Sequence, residues 1–223
     1  MDHGAGELDR FWSSLPGAER AALLDAGRRR EYPRGAALFH HGDRSDFVVV
    51  LLEGRVKIVV SSEEGAEALL SVRGPGAVIG ELAAIDDRPR LATAIALERL
   101  AVQIVSAEAF RAFIAEHPGA ALTLIRTLVT RLREADRRRA EFGAFDVTSR
   151  LARLLCELGN DGTEEGDGPV DVRLTQQELA AMIGASRESV ARALAEFRER
   201  GLVTTRRRSI TVIEPRALLE AVS

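Results

Sequence analysis

Apolar residues change their spacing along the chain, and these changes predict where helices and strands lie. Residues 7–30 have helical spacing, beginning with Leu8 and Phe11 and broken at Pro16-Gly17, so we expect short helices there. From Tyr32 to about Val105 the apolar runs are short and separated by glycines. The predicted strands cover residues 47–52, 55–60, 68–72 and 100–105. Many short strands with glycine turns predict an antiparallel sandwich or roll, whose closure protects the strand edges.

A second helical pattern begins at Ala107, and Pro118-Gly119 separates it from a long predicted helix over residues 120–143. The long helix carries a stripe spaced as in a heptad seam. Its members are Leu122, Ile125, Val129 and Leu132. Such a stripe can pack on its own domain or form a dimer contact, and the surrounding architecture favours the dimer. After it, Asp146 is placed to cap a further helix.

A capping box opens the first of two short helices predicted in the C-terminal part of the chain. In Thr175-Gln176-Gln177-Glu178, the threonine hydroxyl and the glutamate carboxylate can each satisfy a free backbone N–H. Thr175 and Gln176 at this helix start suit a DNA backbone phosphate, and Gln177 is predicted with them as a DNA-binding residue. Gly184 then stands where the turn between the two helices needs a positive φ.

The second of these helices can be capped by Ser186, and it has one apolar and one charged face. Arg187, Glu188 and Arg192 lie on the charged face. Arginine can bind guanine O6 and N7 together, and glutamate can accept from the cytosine amino group. Glu188 and Arg192 are an i,i+4 pair, so each can orient the other. We predict a major-groove recognition helix, although the spacing alone also fits a plain solvated helix pair.

Residues 202–213 read as strand, basic turn and strand, which is the wing of a winged helix. Three consecutive arginines stand at the turn: Arg206, Arg207 and Arg208. The whole chain has a net charge of −3, but residues 175–216 carry 8 basic and 5 acidic residues. Phosphate contacts explain this local excess better than fold stability does, so we predict double-stranded DNA as a partner.

An anion-binding pattern occupies residues 80–94. Gly80 allows close backbone approach, and a short helix beginning near Glu81 would present free N–H groups. The Arg90 side chain can lie beside these N–H groups. A site made of backbone donors and one arginine suits a phosphate. The Glu81 carboxylate beside them could accept hydrogen bonds from ribose hydroxyls.

These features resemble the cyclic-AMP receptor (catabolite activator) and fumarate–nitrate regulator superfamily over nearly the whole chain. The resemblance rests on the cassette of residues 80–90, the hinge sequence 145–150 and the helix sequence 186–190. It implies an α+β fold with three parts. These are a cyclic-nucleotide-binding antiparallel β-roll (jelly-roll) over 1–119, a dimerisation helix and hinge over 120–145, and a winged helix-turn-helix over 146–223.

The resemblance also implies roles for single residues. Arg90 would pair with the cyclic phosphate and Glu81 would hold the ribose 2′-hydroxyl, while Gly80, Leu82, Leu91 and Ala92 would supply backbone contacts. Arg187, Glu188 and Arg192 fall on the base-reading positions, which implies a TGTGA-like half-site in an inverted pair. The ligand would bias the long helix and the hinge at Phe145-Asp146, so that two recognition helices meet successive major grooves about 34 Å apart.

Four positions bear on which ligand is bound. Leu91 stands where the superfamily usually has Ser, Thr or Ala, and Arg131 matches a ligand-side arginine. Ala135 and Asp136 replace the Thr and Ser that contact adenine in the cyclic-AMP receptor. Asp136 can accept from an adenine or a guanine amine, or can simply be a charge beside nearby arginines. We therefore expect cyclic AMP first and cyclic GMP second, with a ligand-independent regulator as the alternative.

Several other classes of protein fit the sequence poorly. The single cysteine, Cys156, reads as a core residue and excludes an internal disulfide or a cysteine-held iron–sulfur cluster. His41 reads as a turn residue, so we expect no haem and no metal. Because there is no nucleophile–base pair or pseudosubstrate segment, we expect neither an enzyme nor a kinase-regulatory subunit. A polar N-terminus and the lack of a membrane-length apolar stretch predict a cytoplasmic protein without a membrane partner, and RNA polymerase is a candidate partner.

Overall fold

The computed structural model of the chain describes residues 11–61, 67–159, 168–206 and 209–222. The chain divides into two compact units, and the division falls between Arg131 and Leu132. This division lies inside one long helix. The predicted boundaries of the three parts stay predictions.

The described residues form eleven strands and nine helices. The strands are β1 (Gly27–Tyr32), β2 (Ala37–Phe39), β3 (Phe47–Glu53), β4 (Val56–Ser61), β5 (Glu67–Arg73), β6 (Val78–Ile79), β7 (Thr93–Ala96), β8 (Leu100–Ser106), β9 (Val170–Val172), β10 (Val203–Arg206) and β11 (Ser209–Val212). The helices are α1 (Phe11–Ser14), α2 (Gly17–Asp25), α3 (Glu81–Asp86), α4 (Ala107–Glu116), α5 (Pro118–Ala144), α6 (Val147–Gly159), α7 (Gln176–Ile183), α8 (Arg187–Glu199) and α9 (Pro215–Glu220).

Two four-stranded antiparallel sheets form the N-terminal unit, with strand orders β1-β8-β3-β6 and β2-β7-β4-β5. Side chains from both sheets meet in one buried cluster, which includes Val49, Leu51, Val56 and Ala94. The alternate residues of β3, Val48 and Val50, pack instead with the helices. Because β3 is buried on both faces, its sequence is a continuous apolar run rather than an alternating one. The predicted antiparallel β-roll is confirmed.

The prediction of short helices over residues 7–30 is wrong for its last part. The helices α1 and α2 are present, but Gly27 to Arg30 belong to β1, which pairs with β8 from Gly27↔Val105 to Tyr32↔Leu100. The three arginines of this edge strand are largely exposed, so the strand shows no apolar alternation. Its pairing comes from a partner about 70 residues further along the chain. Leu8 lies outside the described residues.

Helices α1 to α4 cover the outer face of the first sheet together with the beginning of α5. Phe11 and Phe110 are fully buried there, with their ring centroids 6.3 Å apart in an edge-to-face arrangement. Ser106 caps α4 by accepting the Ala109 N–H at 3.1 Å. This packing fixes α3, on which part of the candidate site lies.

The C-terminal unit combines helices α6 to α9 with the three-stranded sheet β10-β11-β9. Asp146 caps α6 as predicted, because its Oδ1 accepts the Ser149 N–H at 2.7 Å. Cys156 is half-buried on α6 and its Sγ donates to the Pro215 carbonyl at 3.4 Å. Burial raises the pKa of this thiol to about 11, which fits the predicted packing role.

Candidate effector pocket and nucleic-acid interface

Gly80 shapes the centre of the cassette. It precedes α3 with φ +79° and ψ 7°, a left-handed conformation that favours glycine. A Cβ at this position would lie 2.3 Å from Nη1 of Arg90. The close backbone approach predicted from the sequence is therefore an approach to the arginine side chain of the same cassette.

Arg90 is buried and its guanidinium is held on several sides. Nη1 donates to the Gly80 carbonyl at 2.8 Å, and Nη2 donates to the Phe47 carbonyl. The guanidinium carbon lies 4.4 Å from the ring centroid of Phe39 and 4.8 Å from that of Phe47. Burial lowers the pKa of Arg90, although nearby Asp46, Glu81 and Asp43 oppose this shift. The Nε atom is buried and its hydrogen has no acceptor among the described residues, so one donor of the guanidinium is unused in this structure.

The backbone of Arg90 is fixed as firmly as its side chain. Its N–H donates to the Asp43 carbonyl at 2.8 Å, and its carbonyl accepts from the Gly42 N–H at 2.9 Å. The turn between β2 and β3 thus positions the arginine. His41, predicted to be a turn residue, donates its backbone N–H to Thr93 Oγ1 at 2.9 Å.

Glu81 is also buried, at 3% exposure, and it has an ionic partner on α5. Arg131 Nη1 donates to its Oε1 at 2.7 Å, and Arg131 Nη2 donates to the Val78 carbonyl at 2.8 Å. Arg131 is only 15% exposed. Arg90 and Glu81 of the cassette, together with Arg131 beside it, therefore place two guanidinium groups and one carboxylate away from water. The net charge of these shielded groups alone is +1, which suits one anion.

The helix-turn-helix elements have the predicted caps. Thr175 Oγ1 accepts the Glu178 N–H at 3.2 Å and Glu178 Oε2 accepts the Thr175 N–H at 2.8 Å, which completes the capping box. Gly184 has φ +60° in the turn, and Ser186 Oγ accepts the Ser189 N–H at 3.1 Å at the start of α8. The apolar face of α8 is buried at Val190, Ala193, Leu194 and Phe197.

The charged face of α8 is exposed, with one difference from the prediction. Arg187, Glu188 and Arg192 all project from the exposed side of the helix. Arg192 donates to Ser189 Oγ at 3.3 Å instead of pairing with Glu188. The predicted i,i+4 pair is wrong for this structure, since the serine lies one turn earlier on the same face and competes for the guanidinium.

A groove runs between the start of α7, the start of α8 and the wing. Its polar lining contains two arginines, two glutamines and two threonines: Arg187, Arg206, Gln176, Gln177, Thr175 and Thr205. The wing strands β10 and β11 pair from Val203↔Val212 to Arg206↔Ser209. Arg207 and Arg208 lie outside the described residues. With the free N–H groups of α7 at one end, this groove suits a phosphodiester.

Both units are similar to known domain families. Residues 29–117 match the cyclic nucleotide-binding domain family, and residues 149–221 match the Crp-like helix-turn-helix domain family. A CRP-like cAMP-activated global transcriptional regulator of Mycobacterium tuberculosis is 34% identical over 200 residues, which are 89% of each chain. A cyclic AMP receptor protein of Thermus thermophilus is 33% identical over 196 residues, which are 88% of each chain.

The chain belongs to the CRP/FNR superfamily of transcriptional regulators.

A solved structure supports the same fold for this CRP/FNR chain. The c-di-GMP-responsive regulator CLP of Xanthomonas campestris aligns with a TM-score of 0.74 at 24% identity, covering 89% of this chain and 99% of that one. At this identity the likeness shows the fold alone. Together with the two domain matches, it confirms a β-sheet nucleotide-binding domain, a long helix and a helix-turn-helix.

The other predicted ligand-binding residues of the CRP/FNR chain differ in their exposure to solvent and in the element on which they lie. Ala92 is buried, whereas Leu82 within the cassette is 43% exposed and Leu91 directly after it is 60% exposed. Ala135 and Asp136 are exposed on α5, in the turn after Arg131. Their contacts with a nucleotide base stay a prediction.

Two aromatic residues of the pocket were not predicted as site residues. Phe39 and Phe47 flank the Arg90 guanidinium, with their own ring centroids 6.3 Å apart. They stand on either side of the turn that holds the Arg90 backbone. The only local signal is that an aromatic residue lies at each end of this glycine-containing turn.

The heptad stripe on α5 is exposed in the single chain. The exposed fractions of Leu122, Ile125, Val129 and Leu132 lie between 41% and 61%.

Among the described residues, none of the helices has both the length and the apolar character that a membrane span requires. The same residues contain no group of three or more His, Cys, Asp or Glu side chains that could hold a metal ion.

Proposed function

We propose that this chain is a homodimeric transcriptional regulator whose binding to an inverted-repeat DNA operator is controlled by a cyclic nucleotide. One observation carries the proposal. Arg90 and Glu81 are both buried beside Gly80, in a chain that also has an exposed recognition helix. A cyclic nucleotide offers one phosphate charge to the arginine and ribose hydroxyls to the glutamate.

The cassette suggests how a ligand would act. The phosphate would take the Nε side of Arg90, which has no other acceptor among the described residues. A ribose hydroxyl on Glu81 would compete with Arg131 for the same carboxylate. Because Arg131 lies on α5, ligand binding would change the contact between the cassette and this helix. The backbone contacts predicted for Gly80, Leu82, Leu91 and Ala92 would complete the site.

Cyclic AMP is the first candidate effector because both curated relatives are named as cyclic-AMP regulators. Cyclic GMP is the second, since Ala135 cannot hydrogen-bond a base through its side chain and Asp136 can accept from either purine amine.

On the DNA side, Arg187, Glu188 and Arg192 are proposed to read a TGTGA-like half-site in the major groove. The groove residues Thr175, Gln176 and Gln177 would hold the backbone, together with Ser186 at the start of α8 and Arg206 to Arg208 in the wing. The exposed stripe of α5 would meet its copy in a second chain, because an apolar heptad seam is stabilised by burial against another helix.

The proposed function includes no enzymatic activity. RNA polymerase as a partner and a cytoplasmic location stay predictions.

Calorimetry and DNA binding test the proposal together. Purified protein is titrated with cyclic AMP, cyclic GMP and adenosine, and operator binding is measured with and without each compound. We expect heat with a cyclic nucleotide, tighter operator binding in its presence, and loss of both effects in Arg90→Ala. Ligand-dependent operator binding that survives Arg90→Ala would contradict the proposed site.

A second candidate is a regulator of the same superfamily that needs no ligand. It is favoured by the internal bonds of the cassette, where Arg90 donates to two carbonyls and Glu81 is paired with Arg131. The same experiment separates the two candidates. No heat with any nucleotide, together with tight operator binding by the protein alone, would support the ligand-independent form.

A further inference from the structure

A carboxylate on α6 bridges two arginines near the end of α5. Glu157 Oε2 accepts from Arg137 Nη2 and Glu157 Oε1 accepts from Arg138 Nη2, each at 2.6 Å. The Glu157 side chain is only 13% exposed. All three residues lie in the C-terminal unit. The bridge therefore joins the second half of the long helix to the first helix of the winged domain.

The bridge holds a charge that would be unfavourable alone. Burial acts to raise the pKa of Glu157, but the charges and hydrogen bonds of Arg138 and Arg137 outweigh burial and lower it. The carboxylate thus stays ionised at neutral pH. A buried carboxylate that loses its partners is costly, so the three side chains favour one arrangement of the two helices.

The position of the bridge allows it to restrain the angle between α5 and α6. Helix α5 ends at Ala144 and α6 begins at Val147, so only Phe145 and Asp146 link them. Asp146 caps α6 and Arg153 lies 4.3 Å over the Phe145 ring, and both contacts are close to the link. Glu157 is ten residues further along α6, about 15 Å from its start. A contact that far from a pivot restrains the interhelical angle far more than contacts at the pivot do.

The first helix of the helix-turn-helix adjoins the same place. Met182 and Ile183 of α7 line a small crevice together with Arg138, Leu154 and Glu157. A change in the angle between α5 and α6 would therefore move α7. Because the turn at Gly184 connects α7 to the recognition helix α8, α8 would move with it.

We propose that Glu157 is a positioning residue for operator binding, which sets the α5–α6 angle through Arg137 and Arg138 and so fixes the separation of the two recognition helices in a dimer. This inference rests on the proposed function, since it assumes a dimer on an inverted repeat. It assigns no base or phosphate contact to Glu157.

The test compares Glu157→Gln with Glu141→Gln in the full chain, with cyclic AMP present and absent. Glu141 is the matched control because it lines the same crevice and accepts from Arg137 at 3.2 Å, but both residues lie on α5, so this hydrogen bond does not connect two helices. Binding is measured to inverted half-sites one DNA turn apart, to the same half-sites moved apart by two base pairs, and to a single half-site.

We expect the wild type and Glu141→Gln to prefer the one-turn spacing by about tenfold or more, because a rigid dimer fits one spacing. Glu157→Gln should reduce this preference to within about threefold while leaving single half-site binding unchanged. An unchanged spacing preference in Glu157→Gln would overturn the inference. Failure of the wild type to bind any inverted repeat would instead contradict the proposed function.

Hydrogen exchange decides the inference even without operator binding. In Glu157→Gln we expect the amides of residues 145–150 to exchange about tenfold faster, with little change in α8. Equal acceleration in residues 145–150 and in α8 would mean that Glu157 stabilises the whole unit and does not position it, which would overturn the inference. Arg138→Gln combined with Glu157→Gln should add little to either single change, because the two side chains form one bridge.

Discussion

Replacing Gly80 by alanine tests how the cassette holds Arg90. The residue has φ +79°, and an added Cβ would lie 2.3 Å from Arg90 Nη1. That atom ends a side chain, but two carbonyls and two phenyl rings hold the guanidinium in place. The new methyl group would displace the guanidinium by roughly 1 Å to reach an ordinary contact distance.

The free-energy cost of Gly80→Ala has two parts. A Cβ in the left-handed region costs about 1–2 kcal/mol. Disturbing the bond from Arg90 to the Gly80 carbonyl, now 2.8 Å, removes up to about 1.5–3 kcal/mol, the range for a hydrogen bond to a charged group. We expect Gly80→Ala to lower the free energy of unfolding by about 3–4 kcal/mol. A displaced guanidinium should also weaken cyclic AMP binding by about tenfold or more, which corresponds to about 1.4 kcal/mol.

Gly35→Ala is the matched control for this change. Gly35 has φ +81° in the same unit, yet nothing lies within 4 Å of its added Cβ. It should lose only about 1–2 kcal/mol in urea unfolding and bind cyclic AMP like the wild type. If urea unfolding and calorimetry show the same losses for both variants, contact with Arg90 is not what requires glycine at position 80, and the reasoning is refuted.

Three further predictions concern the C-terminal unit. Asp146→Ala should lower the free energy of unfolding by about 1 kcal/mol through loss of the α6 cap. Hydrogen bonds from Ser149 lower the pKa of Asp146, so its stabilisation is complete above the unfolded pKa of about 3.9 and disappears as the pH falls through the lower folded value. Urea unfolding from pH 7 to 2 should show a smaller loss of stability in Asp146→Asn, which keeps a capping oxygen, than in the wild type. The difference between the two proteins reports Asp146, because carboxylates such as Glu157 lose their stabilisation in both. Thr175→Ala should cost about 1 kcal/mol in thermal unfolding by breaking the capping box, and an unchanged Tm would contradict that role. Arg206→Gln should weaken binding equally to operator and random DNA and reduce the salt dependence by about one ion, whereas selective loss on the operator would mean base reading.

The helix-turn-helix could be predicted closely from the sequence because its signals are local. Thr175, Gly184 and Ser186 each act on groups within four residues of themselves. The exception is the Glu188–Arg192 pair, where Ser189 takes the arginine instead. Spacing identified which side chains share a face, but several polar groups on one exposed face can exchange partners at little cost.

The residues of the cassette could be predicted from the sequence, but the contacts that hold their side chains in place could not. Gly80, Glu81 and Arg90 are close in sequence, so their meeting could be anticipated. The Phe47 carbonyl, the two aromatic rings and the approach of Arg131 depend on pairings between strands and helices far apart in the chain. The strand β1 was missed for the same reason, because only its partner β8 makes a strand of three consecutive arginines.

The buried charges of the cassette also limit what can act as its effector. Arg90 and Arg131 are shielded from water with a single buried carboxylate, Glu81, while Asp43 and Asp46 are exposed and better screened. A ligand that takes Glu81 away from Arg131 leaves two positive charges poorly compensated unless it brings a negative charge of its own. A cyclic nucleotide brings one, whereas adenosine offers the same ribose and base without it. We therefore expect calorimetry to show binding of cyclic AMP and none of adenosine at the same concentration. Equal binding of the two would mean that the ribose and base alone can displace Arg131, and the phosphate would then have no part in opening the Glu81–Arg131 pair.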